Sequence, residues 1–427
     1  MIRIPYRETF MDRALFRPLV LTAALAALVA GRSAAADDPL RDKAVKLNQT
    51  TGTQAMSARL GELLKDEAGT KKLLAAAVKM VKDEKPPPLN YNACYVLAKA
   101  AQGLKDTESA LVFYRHCATE ASKLGSASKV VDVFDGMIDA YIGAKKYDEA
   151  LQAGQEFLDI RVEDLDSPIN QYKPIILEKM IRATAKKGKV DEALKMTEDL
   201  IEKDKGGWYF VRLKGEVLRE AERHADASDA YLETIERLKK NTRLEAEVRD
   251  RFLKQMRYTL SGVYVDLKQI DKAAEQLEGL LKEDPDNPTF LNDLGFIWAD
   301  HDMKFDEAEK LIRKAIDKDR EQRKKIEDLP KDEDVDSAAY LDSLGWVLFK
   351  KKNYPEAKKY LIDATKLPEG KHIEIYDHLA DTHMALGEKA DAIKVWKEAL
   401  KQDKDLTKRE QARKKTIEKK LADAEKK

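Results

Sequence analysis

Leu341-Asp342-Ser343-Leu344-Gly345-Trp346, followed by Tyr354-Pro355-Glu356-Ala357, is the stretch that decides the fold. A small residue, Gly345, stands 12 positions before an alanine that follows an acidic residue. The same phrase occurs on either side. Leu291-Asn292-Asp293-Leu294-Gly295-Phe296 precedes Phe305-Asp306-Glu307-Ala308, and Tyr376-Asp377-His378-Leu379-Ala380 precedes Ala390-Asp391-Ala392 and Trp396. Moving outward, the alanine recurs as Ala110, Ala150, Ala193, Ala227, Ala273, Ala308, Ala357 and Ala392, at spacings of 40, 43, 34, 46, 35, 49 and 35 residues. A segment this short has too little apolar surface to fold alone. Each must be a helical hairpin stacked on its neighbours, which makes the fold a solenoid and its business binding.

Two further positions repeat with the alanine. Twelve residues before it, or 13 at Gly295, stand Ala98, Ile138, Ile181, Gly215, Ser261, Gly295, Gly345 and Ala380, most of them small. About one turn after it stand Tyr114, Gly154, Thr197, Tyr231, Leu277, Ile312, Leu361 and Trp396, most of them bulky. Two helices approach closely where both carry small side chains, and large residues one turn on fill the groove against the next hairpin. Between the helices, Lys187-Gly188 or Lys268-Gln269 marks a turn, and acidic residues then open the second helix at its positive dipole end.

This pattern resembles the tetratricopeptide repeat, with copies like those of exported bacterial proteins. Pro285 stands at that repeat's closing proline. The resemblance covers residues 91–406, is strong from 254 and is looser before. It implies an all-α, right-handed superhelical solenoid of about eight hairpins with terminal capping helices. The expected layout is a signal peptide (1–36), an N-terminal helical cap or degenerate repeat (37–90), degenerate repeats (91–253), well-formed repeats (254–406) and a charged C-terminal capping helix (407–427). Residues 235–253 hold almost no helix breaker, which predicts lengthened helices there. Leu329-Pro330 and the charges up to Asp336 predict a surface loop.

Residues 1–36 read as an export signal. Arg13 and Arg17 precede an apolar run from Leu19 to Ala30, and small residues at Ala34-Ala35-Ala36 precede Asp37. Cleavage is expected after Ala36, and the signal is already complete from Met11. The apolar run is shorter than the roughly 20 residues of a spanning helix. The alternative is an uncleaved anchor that tethers an organiser of an envelope assembly to the membrane. Cleavage removes five arginines and two acids, which leaves 73 basic and 76 acidic residues and a net charge of −3. A nearly neutral chain with no basic face argues against nucleic acid.

Two cysteines, Cys94 and Cys117, fall in the two helices of one hairpin. Export permits a disulfide between them, and two small buried apolar residues are the other reading. Phosphate-loop, serine-elbow and zinc-protease motifs are absent from the sequence, so neither an enzyme nor a cofactor is expected. His372, His378 and His383 cluster with Asp377 and Asp381. His378 and Asp381 are three apart, a weak metal pair for which nothing fixes a third ligand. In the repeat family, the first helix of each hairpin lines the concave face. The resemblance thus implies a groove with Phe296, Trp346 and Phe349 as its floor and Asn292, Asp342, Asp377 and Asp381 along one track. A peptide or protein partner with basic and apolar side chains suits it. Packing between repeats and solvated acids are the alternative for these residues. The earlier repeats offer Tyr209, Arg212, Glu216 and Arg219, and an acidic strip of Asp132, Asp135 and Asp139.

Overall fold

The computed structural model describes residues 38–426 apart from 205–206, 331–332 and 403–405. The expected signal peptide lies outside them. All regular structure among the described residues is helical, as an all-α chain requires. No helix among them is long and apolar enough to cross a membrane.

The chain divides into two compact units, one ending at Glu222 and the other starting at Arg223. The N-terminal unit holds α1 (Pro39–Lys46), α2 (Thr53–Lys65), α3 (Glu67–Asp83), α4 (Tyr91–Gly103), α5 (Thr107–Lys123), α6 (Ala127–Gly143), α7 (Tyr147–Leu158), α8 (Pro168–Lys186), α9 (Val190–Lys203) and α10 (Tyr209–Glu220). The helices of α4–α5, α6–α7 and α8–α9 pack on each other, and α5 and α7 pack on the next hairpin. Ahead of them α1 packs on α3, α2 on α4 and α3 on α5. Side-chain caps open several of these helices: Asp66, Asn90, Asp106 and Ser126 each accept a backbone N–H of the first turn, which satisfies a donor that the helix leaves unpaired.

The C-terminal unit holds α11 (His224–Lys239), α12 (Ala246–Asp266), α13 (Ile270–Glu283), α14 (Pro288–Asp300), α15 (Phe305–Arg323), α16 (Ala338–Lys350), α17 (Tyr354–Lys366), α18 (Ile373–Ala385), α19 (Lys389–Ala399) and α20 (Lys408–Lys426). The hairpins α12–α13, α14–α15, α16–α17 and α18–α19 stack in order, and the first helices α14, α16 and α18 touch in succession. The last helix, α20, packs on α18 and α19.

The recurring alanine is fully buried in all eight copies, and the bulky position after it is buried throughout. Steric room explains the glycines twelve or thirteen residues earlier. A Cβ on Gly295 would lie 2.8 Å from the carbonyl oxygen of Ala308 and 2.7 Å from Ile312. One on Gly345 would lie 2.5 Å from Leu361 and 3.3 Å from the Ala357 oxygen. At Gly295 and Gly345 the two helices of the hairpin come close enough to leave no room for a side chain.

The turns share one geometry. Lys105, Lys145, Gly188, Lys268, Asp302, Lys352 and Gly387 have positive φ. The next residue's N–H bonds back five residues, as in Asp106 to Ala101, Gln269 to Tyr264 and Asn353 to Leu348. This left-handed cap ends the first helix and starts the second.

Near 235–253 the structure departs from expectation. Only α12 is long, at 21 residues. The chain breaks after Lys239 because the Asn241 side chain accepts N–H bonds from Arg243 and Leu244 at 2.9 and 3.1 Å, a local turn that competes with helix. After α15, Arg320 and Arg323 pair with Asp334 and Asp336 ahead of α16.

Candidate functional site: the first helices of the C-terminal unit

Asn292 and Phe296 lie on α14, Asp342, Trp346 and Phe349 on α16, and Asp377 and Asp381 on α18. The structure brings part of this set together. Trp346 stacks on Phe349 with centroids 4.9 Å apart, and on His378 of α18 at 4.0 Å. Its indole N–H donates to Asp300 Oδ1 at 3.0 Å, so one ring joins three successive first helices. Phe296, Trp346 and Phe349 are half-buried, and Met384 near the end of α18 is 38% exposed.

The polar track is not an open row. Asn292, Asp342 and Asp377 are buried. His378 Nδ1–H donates to Asp342 Oδ1 at 2.9 Å, and His378 Nε2 is buried without a partner among the described residues. Burial pushes the His378 pKa down, but the Asp342 charge pulls it up and wins. On α14, Asn292 donates to its neighbour Asp293, and Tyr258 OH donates to Asp293 at 2.6 Å. Burial raises the Asp293 pKa above the usual carboxylate range.

The acids of α18 face α20. Asp377 accepts Lys420 at 2.8 Å, Arg413 at 3.2 Å and the indole N–H of Trp396 at 3.1 Å. Asp381 accepts Lys420 at 2.7 Å, and Glu374 accepts Arg413. Burial, then the neighbouring Asp377 charge, raises the Asp381 pKa. Sequence reasoning missed Arg413 and Lys420, although their spacing around Ile417 puts all three on one helix face.

The histidine segment does not assemble as the metal pair that the sequence allows. His378 is bound to Asp342 and Asp381 to Lys420, while His372 pairs with Glu410 at 2.8 Å. His383, Glu388 and Asp391 hold ligand atoms within 4.8 Å of one another. Yet Lys358 donates to both Glu388 oxygens, at 2.7 and 2.8 Å, and so supplies the cation there. Cys94 and Cys117 are buried free thiols on α4 and α5; burial, then a hydrogen bond with Cys94, raises the Cys117 pKa. In the N-terminal unit Lys179 bridges Asp135 and Asp139, and Tyr172 donates to Asp135 at 2.8 Å. Glu178 accepts Tyr209, Arg182 and Arg212, while Glu216 pairs with Arg182 and Arg212. Burial favours the neutral form of Glu178, but Arg212, Tyr209 and Arg182 together lower its pKa. These side chains close on each other within their unit.

Matches to family models agree with the hairpin geometry. Residues 179–241 and 258–324 match one tetratricopeptide repeat model, and residues 373–406 match a second. A tetratricopeptide repeat-containing protein of Pseudomonas aeruginosa is 32% identical over 99 residues, which are 23% of this chain and 14% of that protein. The chain thus spans about a seventh of that curated relative's length. Among solved structures, a tetratricopeptide repeat protein from Parabacteroides merdae aligns at 12% identity over 69% of this chain and 98% of its own, with a TM-score of 0.46. MamA from Desulfovibrio magneticus aligns at 16% identity over 46% of this chain and 94% of its own, with a TM-score of 0.35. Tetratricopeptide repeats, which typically mediate protein–protein contacts, are present in this chain at residues 179–241, 258–324 and 373–406.

Proposed function

We propose that this protein is an exported, non-catalytic scaffold that binds a protein or peptide through the first helices of its C-terminal unit. The ring stack of Phe349, Trp346 and His378 carries the proposal. Its Trp346 and Phe349 rings are half-buried over the buried His378 of the next repeat, with Phe296 and the exposed Met384 on the same set of helices. Aromatic side chains held rigid by their neighbours give contact area at little entropic cost, and such residues dominate binding energy. Export is supported by the arginines, the short apolar run and the small residues of 1–36. The membrane-tethered organiser differs in one step, retention of that segment.

Capture of partners from the envelope extract, with wild type beside Phe349→Ala, tests the binding role. Phe349 is chosen because it ends the stack, so its loss leaves the Trp346–His378 contact in place. The expected result is a partner lost from the variant while helicity is kept, with a lower melting temperature because Phe349 also packs on Tyr354. A partner retained equally in that folded variant would move the function to another surface.

A further inference from the structure

The last helix shows what chemistry the acidic side of α18 pairs with. Arg413, Ile417 and Lys420 lie on one face of α20, at steps of four and three residues. Arg413 reaches Glu374 and Asp377, and Lys420 reaches Asp377 and Asp381 at 2.8 and 2.7 Å. Arg409 lies 3.6 Å from Glu374. Between the cations, Ile417 is fully buried in a cluster with Ile373, Ala380, Ala392, Trp396 and Ala399. Ala424 is the only other buried residue among the 19 of α20, and Leu421 is partly buried.

So α20 is held by Ile417, with lesser apolar contacts from Leu421 and Ala424, and by a row of ion pairs. Its mostly solvated surface belongs to the elements that open first. With α20 in place Asp377 is 2% exposed beside Asp381, and Arg413 and Lys420 match the two charges. The face is thus complementary in charge to a cationic helix, and nothing in the pairing is peculiar to this one.

We propose that Glu374, Asp377 and Asp381 form a docking face for a basic amphipathic helix of a protein partner, with cation, aliphatic and cation at positions i, i+4 and i+7, and that α20 fills this face until the partner replaces it. The proposal deepens the binding role given above, and rests on it, by naming the chemistry of the partner.

A fluorescein-labelled peptide of residues 406–427 serves as the probe, with the full chain and its Arg413→Glu, Lys420→Glu variant as receptors. Charge reversal loosens the internal helix and leaves the α18 acids intact. The variant is expected to bind the peptide about tenfold tighter than wild type, and raising salt from roughly 50 to 500 mM weakens that binding. A peptide carrying the same two reversals is expected not to bind. Circular dichroism checks the fold; if the double variant loses helix, Lys420→Glu alone supplies the comparison. Equal binding to wild type and variant, or equal binding of the reversed peptide, overturns the proposal. A variant that dimerises and ignores the peptide also overturns it, because the natural occupant would then be a second copy. If the peptide fails while Phe349→Ala still loses its captured partner, this inference falls and the scaffold role stands. If Phe349→Ala also keeps its partner, both fall.

Discussion

Single residues set the distance between helices. Gly295 faces a backbone oxygen that cannot swing aside, whereas Gly345 mainly faces the side chain of Leu361. Gly295→Ala gains helix propensity of up to about 1 kcal/mol and loses about 1–3 kcal/mol to overpacking. The variant should be net destabilised, read as a lower urea midpoint with an unchanged slope. The pattern of small and bulky residues was legible in the sequence because steric contact repeats with the hairpin. The partner of a buried charge was not. Asp342 appears as a groove residue when its helix is taken alone, and only the next hairpin supplies His378. That pair has a pH signature. The His378 pKa is raised in the folded protein, against its burial and the opposing charge of Arg413, by Asp342 and Glu374. Its stabilising contribution is thus full below the unfolded value of about 6.5 and is lost as pH rises through the folded value. Urea midpoints for the C-terminal unit should fall from pH 6 to pH 8, and Asp342→Asn should flatten that slope.

Elements owe their ends to local chemistry, and here the sequence was read less well. Lysine or aspartate holds the left-handed position in several turns where glycine is the stronger signal; the turn at Lys268-Gln269 was legible because an acidic helix start follows it, while Lys105 has no such pair to mark it. Lys268 has φ 57, a conformation that costs a side-chain-bearing residue roughly 1 kcal/mol. Lys268→Gly should therefore stabilise the protein slightly, by about 0.5–1 kcal/mol less the extra freedom glycine gives the unfolded chain, seen as a small rise in melting temperature. The break at Asn241 was missed for a related reason: a single side chain capping two N–H groups ends a helix without any proline or glycine. Helix α20 was foreseen as a charged cap. That its basic face meets the acids of α18 follows only once both are seen together.

At the scale of the whole molecule, repetition made the architecture readable, because the buried alanine and the bulky position after it recur from hairpin to hairpin. The binding surface is harder to read, since the positions that face a groove also face the next hairpin. Stacked rings and buried acids fill both roles in the C-terminal unit. The proposed export adds a separate prediction. Mature protein recovered from the producing cell should begin at Asp37, read by N-terminal sequencing; an intact N-terminus in the membrane fraction would favour the tethered organiser. The central claim, a protein-binding face on the first helices of the C-terminal unit, is tested most directly by photo-crosslinking in living cells. Benzoylphenylalanine would replace Phe349, Met384 or, as a control, the exposed Leu232 of α11. The account predicts a discrete adduct from Phe349 and Met384 and none from Leu232. An adduct from Leu232 alone would contradict it.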